Sequence, residues 1–267
     1  MLELLHYDFF IHALIAALLA AISCGIIGTY IVARRMVFIG GGITHASFGG
    51  IGIAYFLGLN PILGAAVFAV LSAFGINYFT QKGNIRQDSS IAIWWSLGMA
   101  IGIIFIALTP GYAPNLMSFL FGSILTVTNS DLVFMGTISL LIALLFILFF
   151  RLVVMIAFDE EFARARNLPV NLFNYLLMAL SALAIVASIR ISGVILVLSL
   201  LTLPQATANL FTKQFKSIML TSILIGFVGM FSGLILSYYT DMPSGATIIL
   251  VLTAFFGLGK AGSLVRR

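Results

Sequence analysis

One histidine lies inside an apolar run of this chain, in Thr44-His45-Ala46, and it is the side chain best equipped for chemistry at membrane depth. A neutral imidazole offers a nitrogen ligand to a divalent cation at neutral pH. It can equally pack in a bundle and hydrogen-bond another helix, and spacing alone leaves both readings open. His45 falls ten residues after Arg35, about 15 Å of continuous helix and so close to mid-bilayer. Polar groups at that depth are costly and usually face a bundle interior. His6 and His12 lie near the outer N-terminal end instead.

The chemistry that is missing narrows the function. Gly257-Leu-Gly-Lys-Ala-Gly-Ser263 has neither the spacing nor the strand context of a phosphate loop, so the chain does not hydrolyse ATP itself. The carboxylates Glu3, Asp8, Asp88, Asp131, Asp159, Glu160, Glu161 and Asp241 all map to loops or span ends. A proton- or sodium-coupled transporter usually keeps an ionisable or ion-coordinating group at depth. Backbone carbonyls remain open for sodium, so that reading is lowered without being excluded. Neither a His-Glu-x-x-His pattern nor a nucleophile with its base is present, and Cys24 has no second cysteine to pair with. No catalytic constellation and no resident cofactor are expected.

The elements that must position His45 follow from composition. Of 267 residues, 62% are hydrophobic and 8% charged, a balance no water-soluble fold of this size can bury. The class expected is all-α, a polytopic transmembrane helix bundle. Apolar runs fall at about 9–33, 42–58, 60–80, 90–109, 116–127, 131–150, 171–190, 193–212, 217–239 and 244–262. The run at 116–127 holds twelve residues, about 18 Å of helix against a core of about 30 Å.

Charge decides how that short run is placed. The net charge of +5 reflects orientation in the membrane rather than a nucleic-acid surface. The N-terminus lacks a basic signal-peptide region, so the first span is expected to be kept, with the N-terminus outside. If 116–127 enters and returns, twelve of the thirteen Lys and Arg residues fall on the cytoplasmic side, Arg190 excepted. About nine spans, one re-entrant half-helix segment bending near Gly122-Ser123, and a cytoplasmic C-terminus are expected. Such a bend is tolerated only where protein or a water-filled cavity surrounds it.

Three further features mark the bundle. Gly42, Ala46, Gly50 and Ala54 recur every four residues, a strip that admits a close helix neighbour. Pro204, in Thr202-Leu-Pro-Gln205, must kink or break its helix and free carbonyls toward the interior. The polar stretch Asp159-Glu160-Glu161-Phe162-Ala163-Arg164-Ala165-Arg166 puts acids first and bases last, as a helix dipole favours, with Pro169 as its stop. It is either a solvated connection or a short surface helix on which a partner docks.

These stretches together resemble the membrane permease subunits of ATP-binding-cassette importers for zinc, manganese or iron, the ABC-3 family. Arg34-Arg35-Met36 with Thr44-His45-Ala46, the region 112–127, Asp159 to Leu168, Ser192 to Ala208 and Asp241 to Thr247 are similar to its signatures, in order along nearly the whole chain. The resemblance implies a single transmembrane permease domain over 1–267, its coupling helix at about 158–168 seated in a cytoplasmic ATPase that binds the ATP. It implies a homodimer with a path at its interface, an external metal-binding protein, and residence among the lipids of a bacterial inner membrane. His45 becomes a pathway ligand for the transported metal, and Pro204, Gln205 and Gly122 become pathway or helix-break positions. Members commonly carry an aspartate four residues before the histidine, where this chain has Gly41. A lone imidazole lacks the carboxylate's charge, so either transit relies on His45 and backbone groups or the cargo differs. The related importers of metal chelates such as cobalamin or siderophores are the alternative within transport.

Overall fold

The computed structural model describes residues 7–110, 122 and 124–265. Its order is α1 (Asp8–Ala33), α2 (Val37–Phe56), α3 (Pro61–Gln81), α4 (Gln87–Leu108), a 3-10 turn (Ile124–Thr126), α5 (Asn129–Phe158), α6 (Glu160–Ala165), α7 (Val170–Leu200), α8 (Leu203–Phe211), α9 (Phe215–Thr240) and α10 (Ser244–Val265). Nine stretches among the described residues are long and apolar enough to span. They correspond to the nine long apolar runs, with α7 breaking at Gly193 (φ 69°) so that its end and α8 make a separate span.

Helix ends are closed locally, as lipid requires of every backbone group. Asn60 accepts from the Ile62 N–H while Pro61 supplies a first turn that needs no donor. Thr128 and Asp131 form a reciprocal capping box on α5. At the end of α1, Arg35 takes φ 57° and the Met36 N–H donates to the Ile31 carbonyl, a Schellman turn with arginine where glycine is usual. The turn is so short that α2 starts at Val37, five residues before the expected run, and the glycine step is helical. α5 likewise continues to Phe158, past the expected 150, with a local departure from helical geometry at Phe149.

α1 lies at the centre. Ala13, Ala16, Ala17 and Ala20 are fully buried, and α5, α7 and α9 pack around it. Ser23 and Ser139 place hydroxyls 2.6 Å apart between α1 and α5, within reach of the Leu19 carbonyl, so that one donates to the other and the second donates to that carbonyl. The small-residue strip of α2 divides between two partners. Added Cβ atoms would drive Gly42 into Ile91 of α4 and Gly50 into the backbone of Gly64 on α3, while Gly98 of α4 lies on the Ala46 carbonyl.

The two ends of the bundle follow from contacts. His12 Nδ1, near the start of α1, lies 3.3 Å from the Val127 carbonyl oxygen just before α5, and Arg34, at the end of α1, pairs with Glu160 just after α5. α1 and α5 therefore run parallel. Since α1 to α4 are joined by short turns, the chain leaves α4 and enters α5 at the same end, which is the parity the charge distribution requires. Most of the stretch 116–127 lies outside the described residues. Lys82, Arg86, Arg164, Arg166, Lys213, Lys216 and Lys260 gather at the Arg34 end, with Asp8, Asp131 and Asp241 at the other.

Candidate functional site

His45 is the ninth residue of the twenty in α2, near the middle of its span. The close approach of α2 and α4 through Ala46 and Gly98 brings Trp95 onto it. The two rings stack with centroids 4.3 Å apart and 5° between planes. His45 is half-buried and has no hydrogen bond among the described residues, so its ring nitrogens are not committed to packing. Gly41, one turn earlier on the same face, is buried and would accept a Cβ without a clash. A Cβ there would meet Leu198 Cδ2 at 3.4 Å and Trp95 Cζ3 at 3.9 Å, ordinary contacts. Among the described residues no three His, Cys, Asp or Glu side chains come together to hold a metal ion. One imidazole can meet a passing divalent cation; it cannot build a resident centre.

Of the kink or break expected at Pro204, the structure shows the break, and the proline begins a new helix. The break falls at Leu201-Thr202, and the proline sits in the first turn of α8, where a missing N–H costs nothing. Gln205 is fully buried, and its amide donates to the carbonyls of Cys24 (2.8 Å) and Leu200 (3.2 Å). One side chain thus satisfies a carbonyl freed by the break and pins α8 to α1. Gly28 makes room for it, since a Cβ there would strike the amide. Gly122 has φ 58°, a left-handed turn suited to a bend, while Ser123 lies outside the described residues.

The polar stretch after α5 is a helix, shorter than the expected 158–168. Asp159 caps it by accepting from the Phe162 N–H at 2.9 Å, and it ends at Ala165, not at Pro169. Asn167 at φ 56° closes it, with the Leu168 N–H donating to the Ala163 carbonyl, while Pro169 caps α7. Ala163 is buried beneath the helix; Glu161, Phe162, Arg164, Ala165 and Arg166 are exposed, with the Arg166 guanidinium 4.7 Å from the Phe162 ring.

Glu160 faces inward, its side chain largely covered. Its Oε2 accepts from both terminal nitrogens of Arg34 at 2.9 Å, and its Oε1 accepts from Arg164 at 2.6 Å and Asn174 at 3.1 Å. Partial burial raises its pKa, but the hydrogen bonds and charges of Arg164 and Arg34 outweigh this and hold it below the usual carboxylate range. A carboxylate depressed in the folded state stabilises above its unfolded pKa and loses that contribution as pH falls through the folded one. Glu160→Gln is accordingly expected to lower the melting temperature of the detergent-solubilised protein at pH 7. The gap to the parent should close as pH falls through the acid range.

Sequence reasoning missed Trp95, Asn174, Gly28 and the role of Arg34 beyond orientation. Nothing in the local pattern announces them, because each acts on a residue of a different helix.

The chain is a membrane permease rather than an enzyme. It belongs to the ABC 3 transport family, which matches residues 6–261, and its class is the permease subunit of an ATP-binding-cassette metal importer. It is 36% identical to the manganese transport system membrane protein MntC of Halalkalibacterium halodurans over 99% of this chain and 92% of that one. It is 32% identical to the manganese import system permease protein ScaB of Streptococcus gordonii, covering 98% and 95% of the two. The solved structure of PsaBC from Streptococcus pneumoniae in complex with Fab superposes with a TM-score of 0.84 at 34% identity, covering 95% of this chain and 91% of that one.

Proposed function

We propose that this chain is the single-domain permease of an ATP-driven importer that carries a free divalent transition metal, manganese first among manganese, zinc and iron. The observation that carries the reading is His45: an uncommitted imidazole near mid-span, in a bundle whose described residues offer no resident metal centre. The relatives named for manganese support the choice of cargo. A ligand set this sparse suits passage, since a cation held by many charged groups would not leave.

The Arg34 end, with its concentration of Lys and Arg, is the cytoplasmic end by the positive-inside rule. The N-terminus is then outside, the C-terminus inside, and α6 lies on the cytoplasmic face of the bacterial inner membrane. There it docks an ATP-binding-cassette ATPase through Phe162 and its exposed neighbours. An external metal-binding protein supplies the ion, and two copies of the chain enclose the path. Lipid covers the remaining apolar faces.

Phe162 is 45% exposed, with the Arg166 guanidinium on one face of its ring, so it is the anchor that a cleft in the ATPase would take. Phe162→Ala is expected to leave melting unchanged while ATPase co-purification falls about tenfold, a loss of about 1.4 kcal/mol. Undiminished capture of the ATPase would remove α6 from the docking role. In cells dependent on this importer, radiolabelled manganese uptake should require the chain; uptake confined to metal chelates would assign the other cargo class.

A further inference from the structure

The ion pair between Arg34 and Glu160 reaches beyond the short helix it anchors. Arg34 Nη1 also donates to the Ile156 carbonyl at 2.9 Å, one of the open carbonyls in the last turn of α5. A single guanidinium therefore grips the end of α5 and the first residue of α6. Glu160 ties the same knot to α7 through Asn174, while Arg164, on α6 itself, holds its other bond within the short helix. Both partners of the pair are largely covered, at 20% and 23% side-chain exposure. The planar guanidinium sets both terminal nitrogens on one carboxylate oxygen and one of them also on the Ile156 carbonyl, which fixes its orientation as well as its distance.

What lies on the other side of Arg34 gives the knot its meaning. Arg34 is the cap of α1, and Arg35 and Met36 alone separate it from α2. That turn is stiff: Arg35 is left-handed, the Met36 N–H is bonded to Ile31, and the Met36 side chain is buried. His45 follows eight residues after Val37, about 12 Å along a continuous helix. We infer that Arg34 is the positioning residue that transmits movement of α6 into the α1–α2 hairpin, and so to His45.

This rests on the reading of α6 as the ATPase-docking helix. The alternative route, through the packing of α5 and α7 against α1 alone, does not depend on the charge or shape of the side chain at position 34. Charge and fork geometry are then the properties that matter at position 34. Arg34→Gln removes both; Arg34→Lys keeps the charge but loses the fork.

The test uses the assembled permease and ATPase in lipid nanodiscs. Spin labels are placed at the exposed positions Phe38 on α2 and Leu258 on α10, a helix outside the knot, with Cys24 replaced by Ala. The distance between labels is measured with and without a non-hydrolysable ATP analogue, alongside ATP hydrolysis and metal transport. With Arg34 intact, the nucleotide should shift the label distance. With Arg34→Gln the ATPase should still bind and hydrolyse, the shift should vanish, and metal moved per ATP should fall about tenfold or more. Arg34→Lys should recover part of both, and the exchange Arg34→Glu with Glu160→Arg should recover more shift than either single change. A full nucleotide-driven shift in Arg34→Gln overturns the inference, as does loss of ATPase binding, which would make Arg34 a mere support for the docking face. The label shift needs no cargo. An intact complex that shows the Arg34-dependent shift yet moves no metal sustains the link while overturning the proposed cargo.

Discussion

Gly50→Ala is expected to destabilise the folded bundle by about 3 kcal/mol or more, the upper range for overpacking, while leaving membrane insertion unaffected. A Cβ at Gly50 would collide with the carbonyl of Gly64 on α3 and come within 2.7 Å of Phe68 Cβ. Gly64 in turn faces the Gly50 carbonyl, with Ala54 Cβ at 2.6 Å from any added Cβ. The obstacles include main chain, which cannot swing aside as a flexible side chain would. Lipid tails are as apolar as the helix surfaces, so association depends on close packing and has little hydrophobic drive to spare. Thermal unfolding in mild detergent reads the effect directly. Gly257→Ala is the matched control, since nothing lies within 4 Å of a Cβ placed there, and it should melt like the parent. Equal melting of the two variants would refute the glycine contact as the organiser of α2 and α3.

His45→Ala is expected to lower ATP-driven metal transport about tenfold or more, equivalent to about 1.4 kcal/mol in the barrier to passage, with fold and ATPase binding retained. The side chain is half-buried and held by its stack on Trp95, so its loss opens a small space without stranding a hydrogen-bond partner. Gly41→Asp provides the complementary experiment. The position is one helical turn from His45, and the nearest atom to an added Cβ is a leucine methyl at 3.4 Å, so the backbone tolerates a side chain there once Leu198 gives way to the carboxylate. A charged oxygen beside the imidazole would raise divalent-ion affinity at the site. Manganese binding followed by electron paramagnetic resonance should tighten about tenfold, and release should slow. If His45→Ala transports at the parental rate, the imidazole belongs to packing alone.

The sequence made the bundle legible because membrane spans announce themselves within a local window. Twenty apolar residues suffice to mark a span, and the Lys and Arg pattern carries the parity of the whole chain. The strip from Gly42 to Ala54 was readable for the same reason, as it repeats at helical spacing on one face. What it faced was not readable, and the structure splits it between Ile91 and Gly98 on α4 and Gly64 on α3. The site was harder. His45 stood out as a polar group at depth, yet Trp95 had no mark of its own until the glycines of α2 and α4 brought the helices together. Glu160 was legible only as one of the acids that open a good helix dipole. Its partner Arg34 is 126 residues away, so no local pattern could turn it inward. Pro204 announced a kink or a break, and the structure shows the break, at Leu201-Thr202, with the proline at the start of the new helix.

The central claim is that this permease passes a free divalent metal by way of His45 under the drive of a separate ATPase. The chain and the ATPase that co-purifies with it should be reconstituted in sealed vesicles, supplied with manganese and the matching external binding protein, and assayed for ATP-dependent accumulation. The account predicts that accumulation requires ATP and falls about tenfold or more in His45→Ala, while hydrolysis by the bound ATPase persists. Undiminished accumulation by His45→Ala, or transport of a metal chelate in place of the free ion, would contradict it.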